Sequence, residues 1–284
     1  MATTDDSSYR HLLAEYRKCD NYDSVFRSAL DDLAGKLDLD WVRSCVAFGA
    51  GSGEHEIEFA RRLLPNLTRF TAVEPDHESV KALRRGTSTS SCCLEPGLMA
   101  TQLAESVKAL RSNFRNAQLS GVETTIAETS VENWSGVEKP VDVALFFNVI
   151  FHVDADARQL LLRRLKMQYL NPDGIVVIVE NGSPATSAFI RLMHSLGYPQ
   201  DNWYGDIEKE VLACGFCIDS AHDIVSIRDL SEPTEGVVKY IQLLFDDNAM
   251  SEQRIRAAIS KTYADPNPEV KHVVRKMGIF RKSS

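Results

Sequence analysis

The fold is decided by the stretch Val46-Ala47-Phe48-Gly49-Ala50-Gly51-Ser52-Gly53-Glu54, which joins a short apolar segment to an amphipathic segment. The apolar, partly β-branched residues from Val42 to Phe48 predict a buried strand, and helical periodicity resumes from Glu56 to Leu64. The three glycines between them predict a tight turn that lets a ligand approach the backbone, because side chains there would block it. The stretch therefore predicts a strand, a glycine turn, and a helix whose N-terminus points at a ligand.

Strands and helices continue to alternate along the chain. Further strands are predicted at Arg69 to Val73, Thr124 to Ile126, Val141 to Asn148, Ile175 to Glu180 and Phe216 to Ile227. Further helices are predicted within the first forty residues, after Asp76, and at Ala157 to Leu170, Ala185 to Leu196, Asp206 to Cys214, Val237 to Phe245 and Ser251 to Tyr263. This alternation predicts an α/β fold, a parallel sheet with helices on both faces. The sequence leaves open whether Val273 to Phe280 forms a last strand in that sheet.

Composition and charge exclude several classes of protein. The 284 residues are 44% hydrophobic and 25% charged, with 15 Gly and 10 Pro, which indicates a globular chain with a sizeable core. A net charge of −8, with no Lys/Arg run longer than a pair, excludes a surface for nucleic-acid phosphates. Because the N-terminus is polar and no apolar run approaches roughly 18 residues, we expect neither a secretory signal nor a membrane span. We expect a cytoplasmic monomer without nucleic-acid or membrane partners, with six cysteines present as thiols and with no metal site.

The residues around the glycine turn favour one class of cofactor. A dinucleotide fingerprint reads G-x-G-x-x-G, whereas here G-x-G-x-G is followed by Glu54, an anion where a pyrophosphate would lie. S-adenosylmethionine has no phosphate and carries a sulfonium and an ammonium, so nearby carboxylates are tolerated or attract it. Glu74 lies 21 residues after Gly53, where a carboxylate can accept both ribose hydroxyls. The pattern predicts S-adenosylmethionine as cofactor and makes an NAD-dependent oxidoreductase the least favoured interpretation.

One heptapeptide, ESVKALR, occurs twice. Glu78 to Arg84 recurs residue for residue as Glu105 to Arg111, 27 residues further on, after a segment rich in Ser, Thr and Cys. Two copies are too few for a repeat architecture, which needs at least about three stacked units. We interpret Arg85 to Arg111 as an insertion or local duplication that forms a flexible excursion outside the fold. Its deletion is expected to leave a folded, ligand-competent protein.

No linker divides the chain, and we expect a single domain over residues 1–284. Within it we expect an N-terminal helical lid at 1–40, a cofactor-binding core at 41–180 with the insertion near 85–111, and substrate-side elements and C-terminal helices at 181–284.

Five segments carry a resemblance to a known family. They are Val46 to Glu54, Val73-Glu74-Pro75, Ala127-Glu128-Thr129-Ser130, Leu145-Phe146-Phe147-Asn148-Val149-Ile150-Phe151-His152-Val153, and Tyr198-Pro199-Gln200-Asp201. On these segments the chain resembles the class I S-adenosylmethionine-dependent methyltransferases and, more narrowly, the histamine N-methyltransferase family. The resemblance runs from roughly Tyr9 to Phe245, interrupted by the insertion. It implies a Rossmann-like fold with a mostly parallel, seven-strand-type sheet.

The glycine turn and the resemblance together name the expected site residues. The cofactor-binding residues are expected to be Gly49, Gly51, Gly53, Glu74, Ser79 (in place of a family glutamine), Ser130 and Phe147. The substrate-binding residues are expected to be Tyr9, Tyr16, Asp23, Asn148, Phe151, His152, Tyr198, Trp203 and Tyr204. Asn148 and His152 are the expected catalytic residues, since an amide and an imidazole can hold an amine and accept its proton.

Two features of the predicted site have competing interpretations. Tyr22 stands where the family has a substrate-orienting glutamate, so the neighbouring Asp23 is expected to take over that role. Tyr9 and Tyr16, at helical spacing, fit plain core packing as well as an aromatic lid.

The expected activity is transfer of a methyl group to a small amine such as histamine. Such a transfer needs a neutral nucleophile held close to the sulfonium, so positioning and desolvation supply most of the effect. Aromatic walls suit both the sulfonium and a cationic amine. The alternatives are an O- or carboxyl-methyltransferase of a small molecule, and a protein that kept this fold but lost activity and serves as a binding or regulatory module.

Overall fold

Seven strands form one sheet in the part of the chain that the computed structural model describes. The described residues are 7–74, 96–117, 119, 121–136, 138–182, 188–197, 204–245, 250–264 and 271–283. For residues 7–10 and 96–105 only the backbone is described. The strands are β1 (Ser44–Phe48), β2 (Arg69–Glu74), β3 (Glu123–Glu128), β4 (Val141–Phe147), β5 (Leu170–Asn181), β6 (Phe216–Ile227) and β7 (His272–Lys282). Their order is β3-β2-β1-β4-β5-β7-β6. β1 to β5 run parallel, and β7 is antiparallel to both of its neighbours. The predicted parallel α/β sheet is confirmed.

The last strand, which the sequence left open, is present as β7. It lies between β5 and β6, with Val177 opposite Ile279 on one side and Ala221 opposite Gly278 on the other. Met277 and Ile279 are buried on one face of the sheet, where they join the hydrophobic core. Because β7 separates β5 from β6, β6 lies at the edge of the sheet and has one neighbour among the described strands.

The described helices cover the faces and one end of this sheet. They are α1 (Ser7–Lys18), α2 (Tyr22–Ala34), α3 (Glu54–Leu63), α4 (Pro96–Asn116), α5 (Ala155–Arg164), α6 (Ala188–Ser195), α7 (Tyr204–Ala213), α8 (Glu235–Leu243) and α9 (Glu252–Tyr263). A 3₁₀ turn follows β4 at Ile150–His152, and a π turn at Leu165–Tyr169 continues α5. None of the described helices has the length and apolar character needed to cross a bilayer.

Alternation along the strands divides the core into two layers. In β4, Val143, Leu145 and Phe147 face the cluster formed with α2, α3 and α4, whereas Ala144 and Phe146 face the cluster formed with α5 and α7. A third cluster lies among α1, α6, α8 and α9. The N-terminal helix thus packs with helices from the second half of the chain.

The second copy of the repeated heptapeptide belongs to α4, the helix between β2 and β3. Its Leu110 is fully buried and lies where a side chain at Gly53 would stand. The next turn of α4 adds Phe114, whose ring centroid is 5.2 Å from that of Phe70 in β2. These contacts make α4 part of the core.

The expectation that Arg85 to Arg111 lies outside the fold is therefore wrong for residues 105–111. The first copy, residues 78–84, lies outside the described residues. Because the two copies are identical, deleting residues 85–111 and deleting residues 78–104 produce the same shortened chain. The predicted deletion product is unchanged, but the copy seen in the core is the second one.

Candidate functional site

The glycine turn after β1 has positive φ at all three glycines, with values of 58° at Gly49, 53° at Gly51 and 73° at Gly53. These values lie in the left-handed region that favours glycine. A Cβ at Gly49 would overlap the side chain of Val149, and one at Gly53 would overlap Leu110. At Gly51 no described atom lies within 4 Å of that position. The turn is tightly packed on two sides and leaves space over Gly51 for a ligand.

Glu74, the last residue of β2, joins this turn. Its Oε2 accepts a hydrogen bond from the Gly51 backbone N–H at 2.9 Å, and the residue is only 4% exposed. Burial raises the pKa of Glu74 to about 7, although the bond from Gly51 acts in the opposite direction. A carboxyl group is thus fixed beside the open glycine, at the position the sequence predicts for a ribose contact.

Glu56, in the first turn of α3, is a site residue that the sequence analysis missed. It is 4% exposed, and burial raises its pKa to about 8, with a further rise from the nearby Glu74. It precedes the buried Phe59, Ala60 and Leu63 by three, four and seven residues, a spacing that places it on the buried helix face. A glutamate on an otherwise apolar face was the signal that could have revealed it.

The other predicted cofactor residues differ in their surroundings. Ser130, just after β3, is buried, and its Oγ accepts a hydrogen bond from the Asn133 N–H at 3.3 Å. The ring of Phe147 packs edge-on against phenylalanines of α2 and α3 in the core instead of facing the carboxyl edge of the sheet. A cofactor contact through that ring stays a prediction. Ser79 lies outside the described residues.

Asn148 stands at the carboxyl end of β4, next to the glycine turn. Among the described residues it is the one non-glycine residue with positive φ, at 53°. Asparagine tolerates this region better than most residues. Its N–H donates to the carbonyl of Val179 in β5 at 2.8 Å, which fixes the turn against the sheet. The sequence placed Asn148 correctly at a strand tip.

Phe151 and His152 follow on the 3₁₀ turn. Their ring centroids lie 3.8 Å apart, and the His152 N–H donates to the carbonyl of Val149 at 2.9 Å. His152 remains accessible to solvent, yet the surrounding protein desolvates the ring and lowers its pKa to about 4. The imidazole is therefore neutral at pH 7 and has a nitrogen that can accept a hydrogen bond.

Arg158, in α5, binds the backbone of this 3₁₀ turn. The fully buried guanidinium donates to the Val153 carbonyl at 2.9 Å and to the Ile150 carbonyl at 3.3 Å. Its Nε and Nη2 each reach a carboxylate oxygen of Glu210 in α7 at 2.6 Å. This two-point pair ties the turn that carries Phe151 and His152 to α7.

The N-terminus of α2 lies against the first turn of α3. Asp23 Oδ1 is 3.0 Å from His55 Nε2, and this hydrogen bond lowers the pKa of Asp23. The His55 ring packs between Tyr22 and Phe26, with both centroid distances at 5.0 Å. The carboxylate of Asp23 is thus paired with a histidine, and the predicted substrate contact of Asp23 stays a prediction.

Tyr22 is 8% exposed, and its buried hydroxyl lies next to the side chain of Asn148. The Arg275 guanidinium lies 3.9 Å from the centre of its ring. Burial raises the pKa of Tyr22 to about 12, while Arg275 and Asn148 act in the opposite direction and Glu56 adds to the rise.

Two other predicted substrate residues lie in hydrophobic clusters instead of at the carboxyl edge of the sheet. The ring of Tyr16 stacks on Tyr240 at 4.5 Å in the third cluster, and Tyr204 is buried against β7 in the second. The core interpretation therefore holds for Tyr16, and a substrate contact by either ring stays a prediction. Outside the described side chains lie Tyr9, Tyr198 and Trp203.

A buried ionic cluster at the ends of β5, β6 and β7 was also missed. Arg228 donates to Asp20 and to the hydroxyl of Tyr16, and Arg275 Nη2 lies 3.7 Å from the same Asp20. Glu180, at the end of β5, is 1% exposed, and burial raises its pKa to about 8. Asp20 and Arg228 are 208 residues apart in sequence, so no local pattern reveals their pairing.

Comparison with known proteins identifies the fold. No protein-family model matches the sequence, and no curated protein matches it. A candidate methyltransferase from Bacillus halodurans C-125 superposes with a TM-score of 0.57 and 11% identity, over 91% of this chain and 99% of the other. The N-methyltransferase NodS from Bradyrhizobium japonicum WM9, in complex with S-adenosyl-L-homocysteine, has a TM-score of 0.51 and 10% identity, over 98% and 99%. The [4+2]-cyclase SpnF has a TM-score of 0.52 and 14% identity, over 90% and 81%.

The fold is that of the class I methyltransferases. The strand order, with its antiparallel β7, and the structural neighbours agree on this point. Identities of 10–14% carry no information beyond the fold, and the neighbours include a cyclase as well as methyltransferases. Function has to be argued from the site.

Proposed function

We propose that this protein is an S-adenosylmethionine-dependent N-methyltransferase that acts on a small amine such as histamine. The observation that carries the proposal is the bond between Glu74 and the Gly51 N–H, in a positive-φ turn at the carboxyl ends of β1 and β2. In open α/β sheets, ligands bind outside the carboxyl ends of the strands where the strand order reverses, which here is between β1 and β4.

The residues of the turn suit this cofactor. The open space at Gly51 would hold the chain of the cofactor that links sulfur to the amino acid, and Glu74 would accept a ribose hydroxyl. Glu74 brings a buried carboxyl group to the turn, and a carboxylate there favours a cation over a pyrophosphate. S-adenosylmethionine supplies a methyl group on a sulfonium, which a neutral nucleophile displaces in line.

The residues after β4 support an amine as the acceptor. Asn148 can both donate to and accept from the substrate at the strand tip, and a neutral His152 can accept a hydrogen bond or a proton from nitrogen. Asp23 adds negative charge beside the first turn of α3, where its bond to His55 holds it. These groups would bind and orient a small amine.

An O- or carboxyl-methyltransferase is the second candidate, and one observation favours it. Arg275 places a buried positive charge 3.9 Å from the ring centre of Tyr22, beside Asn148. A guanidinium there would repel a cationic amine and would attract a carboxylate or a developing oxyanion.

The test is calorimetric titration with S-adenosylmethionine, followed by a methyl-transfer screen that covers histamine, related amines, phenols and small carboxylates. Binding with turnover of an amine would support the proposal, and turnover of an oxygen acceptor would replace it by the second candidate. Binding without any turnover would favour a binding or regulatory module, and absence of binding would refute the cofactor.

A matched pair of variants sharpens this test. Asn148→Ala is expected to lower turnover more than cofactor affinity, because the side chain would face the acceptor. Glu74→Ala is expected to weaken cofactor binding by about 1 to 3 kcal/mol through loss of charged hydrogen bonds. An Asn148→Ala protein with an unaltered rate would remove that residue from the acceptor site.

A further inference from the structure

The segment that follows β4, residues 148–153, is held in place from three sides, and we call it the β4 turn. Its first N–H, on Asn148, donates to a carbonyl of β5 at 2.8 Å. Its second side chain, Val149, packs on the glycine turn, since a Cβ at Gly49 would lie 2.1 Å from Val149 Cγ2. The β4 turn therefore lies directly on the candidate cofactor site, where a small displacement changes the position of its side chains relative to a ligand.

The third attachment of the β4 turn is the guanidinium of Arg158 in α5. It is fully buried and donates to the carbonyl of Val153 at 2.9 Å and to that of Ile150 at 3.3 Å. The Ile150 carbonyl also accepts the Val153 N–H at 3.2 Å, so the guanidinium bonds to an oxygen that closes the 3₁₀ turn. On its other side the guanidinium meets Glu210, with Nε and Nη2 each 2.6 Å from a carboxylate oxygen. One side chain thus joins the β4 turn, α5 and α7.

A gain in net stability is a weak explanation for this ion pair. Charges removed from water lose their hydration, and a buried ion pair is often no more stabilising than apolar residues of similar volume. What the pair supplies is geometry, because a guanidinium is planar and its donors point in fixed directions. Since Glu210 binds the Nε and Nη2 edge of Arg158, Nη1 is directed at the two carbonyls of the β4 turn. A lysine, with a single ammonium, cannot make the same set of contacts.

We propose that Arg158 and Glu210 are positioning residues for methyl transfer, which act by holding Phe151 and His152 in the place where the acceptor binds. The inference rests on the proposed function, because it concerns the same acceptor site. Arg158 has no exposed surface and bonds to the backbone of the β4 turn, so its effect passes through that turn and not through contact with the acceptor. Because in-line transfer depends on the distance and direction of the nucleophile, a misplacement of about 1 Å lowers the rate strongly.

The rings of Phe151 and His152 provide a direct readout of this position. Their centroids lie 3.8 Å apart, close enough for the ring current of Phe151 to displace the imidazole C–H resonances of His152. In a chain with isotope-labelled histidine, the signal that is absent from His152→Asn identifies this residue among the seven histidines. The resonance reports the geometry of the β4 turn without any turnover. A purely structural role of the ion pair would leave it unchanged in a folded variant.

The experiment compares the full-length wild type with Arg158→Met/Glu210→Gln, a double variant that removes both charges together. No buried charge is then left unpaired, so thermal unfolding is expected to show a folded protein. Arg158→Lys is the conservative variant, which keeps the charge but not the planar set of donors. Lys209→Gln is the matched control, since it removes an exposed pair with Asp206 on the same helix. Calorimetric titration measures the affinity for S-adenosylhomocysteine, and initial rates measure kcat and KM for the amine that the methyl-transfer screen identifies.

We expect the double variant to bind S-adenosylhomocysteine as tightly as the wild type does, because neither substituted residue belongs to the glycine turn. Its kcat for the amine should fall by about tenfold to a hundredfold, with a smaller change in KM. The His152 resonance should move toward the position of an exposed histidine. Arg158→Lys should lie between the wild type and the double variant in both readouts, and Lys209→Gln should match the wild type.

Three results would overturn the inference. They are an unchanged His152 resonance in the folded double variant, an unaltered kcat, and a loss of S-adenosylhomocysteine affinity as large as the loss of kcat. If the wild type methylates no amine, the proposed function fails, and the His152 resonance alone decides whether the ion pair positions the β4 turn. If the double variant does not fold, Arg158→Lys takes its place in each comparison.

Discussion

The two ends of the sheet's carboxyl edge are built by different means. The glycine end is formed by the turn after β1 together with Glu56 and Glu74. Its shape is set mainly by backbone conformation, and its residues lie close to one another in the sequence. At the ionic end, Asp20 pairs with Arg228 and Arg275, which come from distant segments, and Glu180 is buried near Arg275.

This difference predicts which substitutions each end of the carboxyl edge can tolerate. A glycine turn fails when a side chain is added, because its φ values and its packing forbid one. A buried ion pair fails when one partner is removed, because the other charge stays in the interior. The first kind of damage should affect ligand binding, and the second should affect stability.

The largest effect is expected from Arg228→Met. It leaves Asp20 buried without its main partner, so the free energy of unfolding should fall by about 3 to 5 kcal/mol. Denaturant unfolding at pH 7 measures this, and affinity for S-adenosylhomocysteine should stay the same if the two ends are independent. Lys276→Met, which removes the exposed pair with Asp223, is the control and should cost less than about 1 kcal/mol. A similar cost for both variants would contradict the distinction.

The next effect separates two glycines of the same turn. Gly49→Ala should lower the free energy of unfolding by about 2 to 4 kcal/mol, because left-handed strain adds to overlap with Val149. Gly51→Ala has the strain without the overlap and should cost about 1 to 2 kcal/mol, while it lowers ligand affinity. Gly121→Ala, also open and at positive φ, controls for strain away from the site. Equal losses at Gly49 and Gly51 would show that packing of the turn is unimportant.

The pH dependence of stability tests the ionic end a second time. The folded protein keeps a proton on Glu180 that the unfolded chain has lost above about pH 5, so raising the pH favours unfolding. The free energy of unfolding of Glu180→Gln should equal that of the wild type near pH 5. At pH 8 it should be higher than that of the wild type by about 1 to 3 kcal/mol. The exposed Glu232→Gln should show no such divergence in unfolding curves at the two pH values. The same pH dependence of the free energy of unfolding in Glu180→Gln and in the wild type would contradict this explanation.

The smallest effect is expected from removal of residues 85–111. The product keeps one uninterrupted heptapeptide before Phe114, so α4 retains its buried leucine and its contact with β2. Circular dichroism and thermal unfolding should resemble those of the full chain, and binding of S-adenosylhomocysteine should persist. Insoluble expression of the shortened chain would show that residues 78–104, which include the first turns of α4, are needed for folding.

Local sequence patterns are enough to predict most strands of the sheet and the turn at the glycine end. The range predicted for β6, Phe216 to Ile227, is the observed one, and the positive-φ turn follows from three glycines in five residues. The sequence leaves β7 open because its apolar run is short and is followed at once by polar residues from Arg281 onward, and its two partners are distant in sequence. The burial of Arg275 depends on contacts that no window of sequence contains.

The same limit applies to single residues at the site. Glu56 could have been found, because its helix spacing places it on the buried face. The pairing of Asp20 with Arg228 and the stacking of Tyr16 on Tyr240 depend on how α1 meets the second half of the chain. These contacts join segments more than 200 residues apart, which only the folded topology brings together.

The position of β7 between β5 and β6 also sets the order in which the sheet can be completed during synthesis. β5 and β6 leave the ribosome before β7, and neither can form its missing ladder until His272–Lys282 has emerged. Until then both strands present unpaired edges, which are prone to pair with other chains. The nascent protein therefore passes through a stage in which a late segment of about ten residues decides between closing the sheet and aggregating.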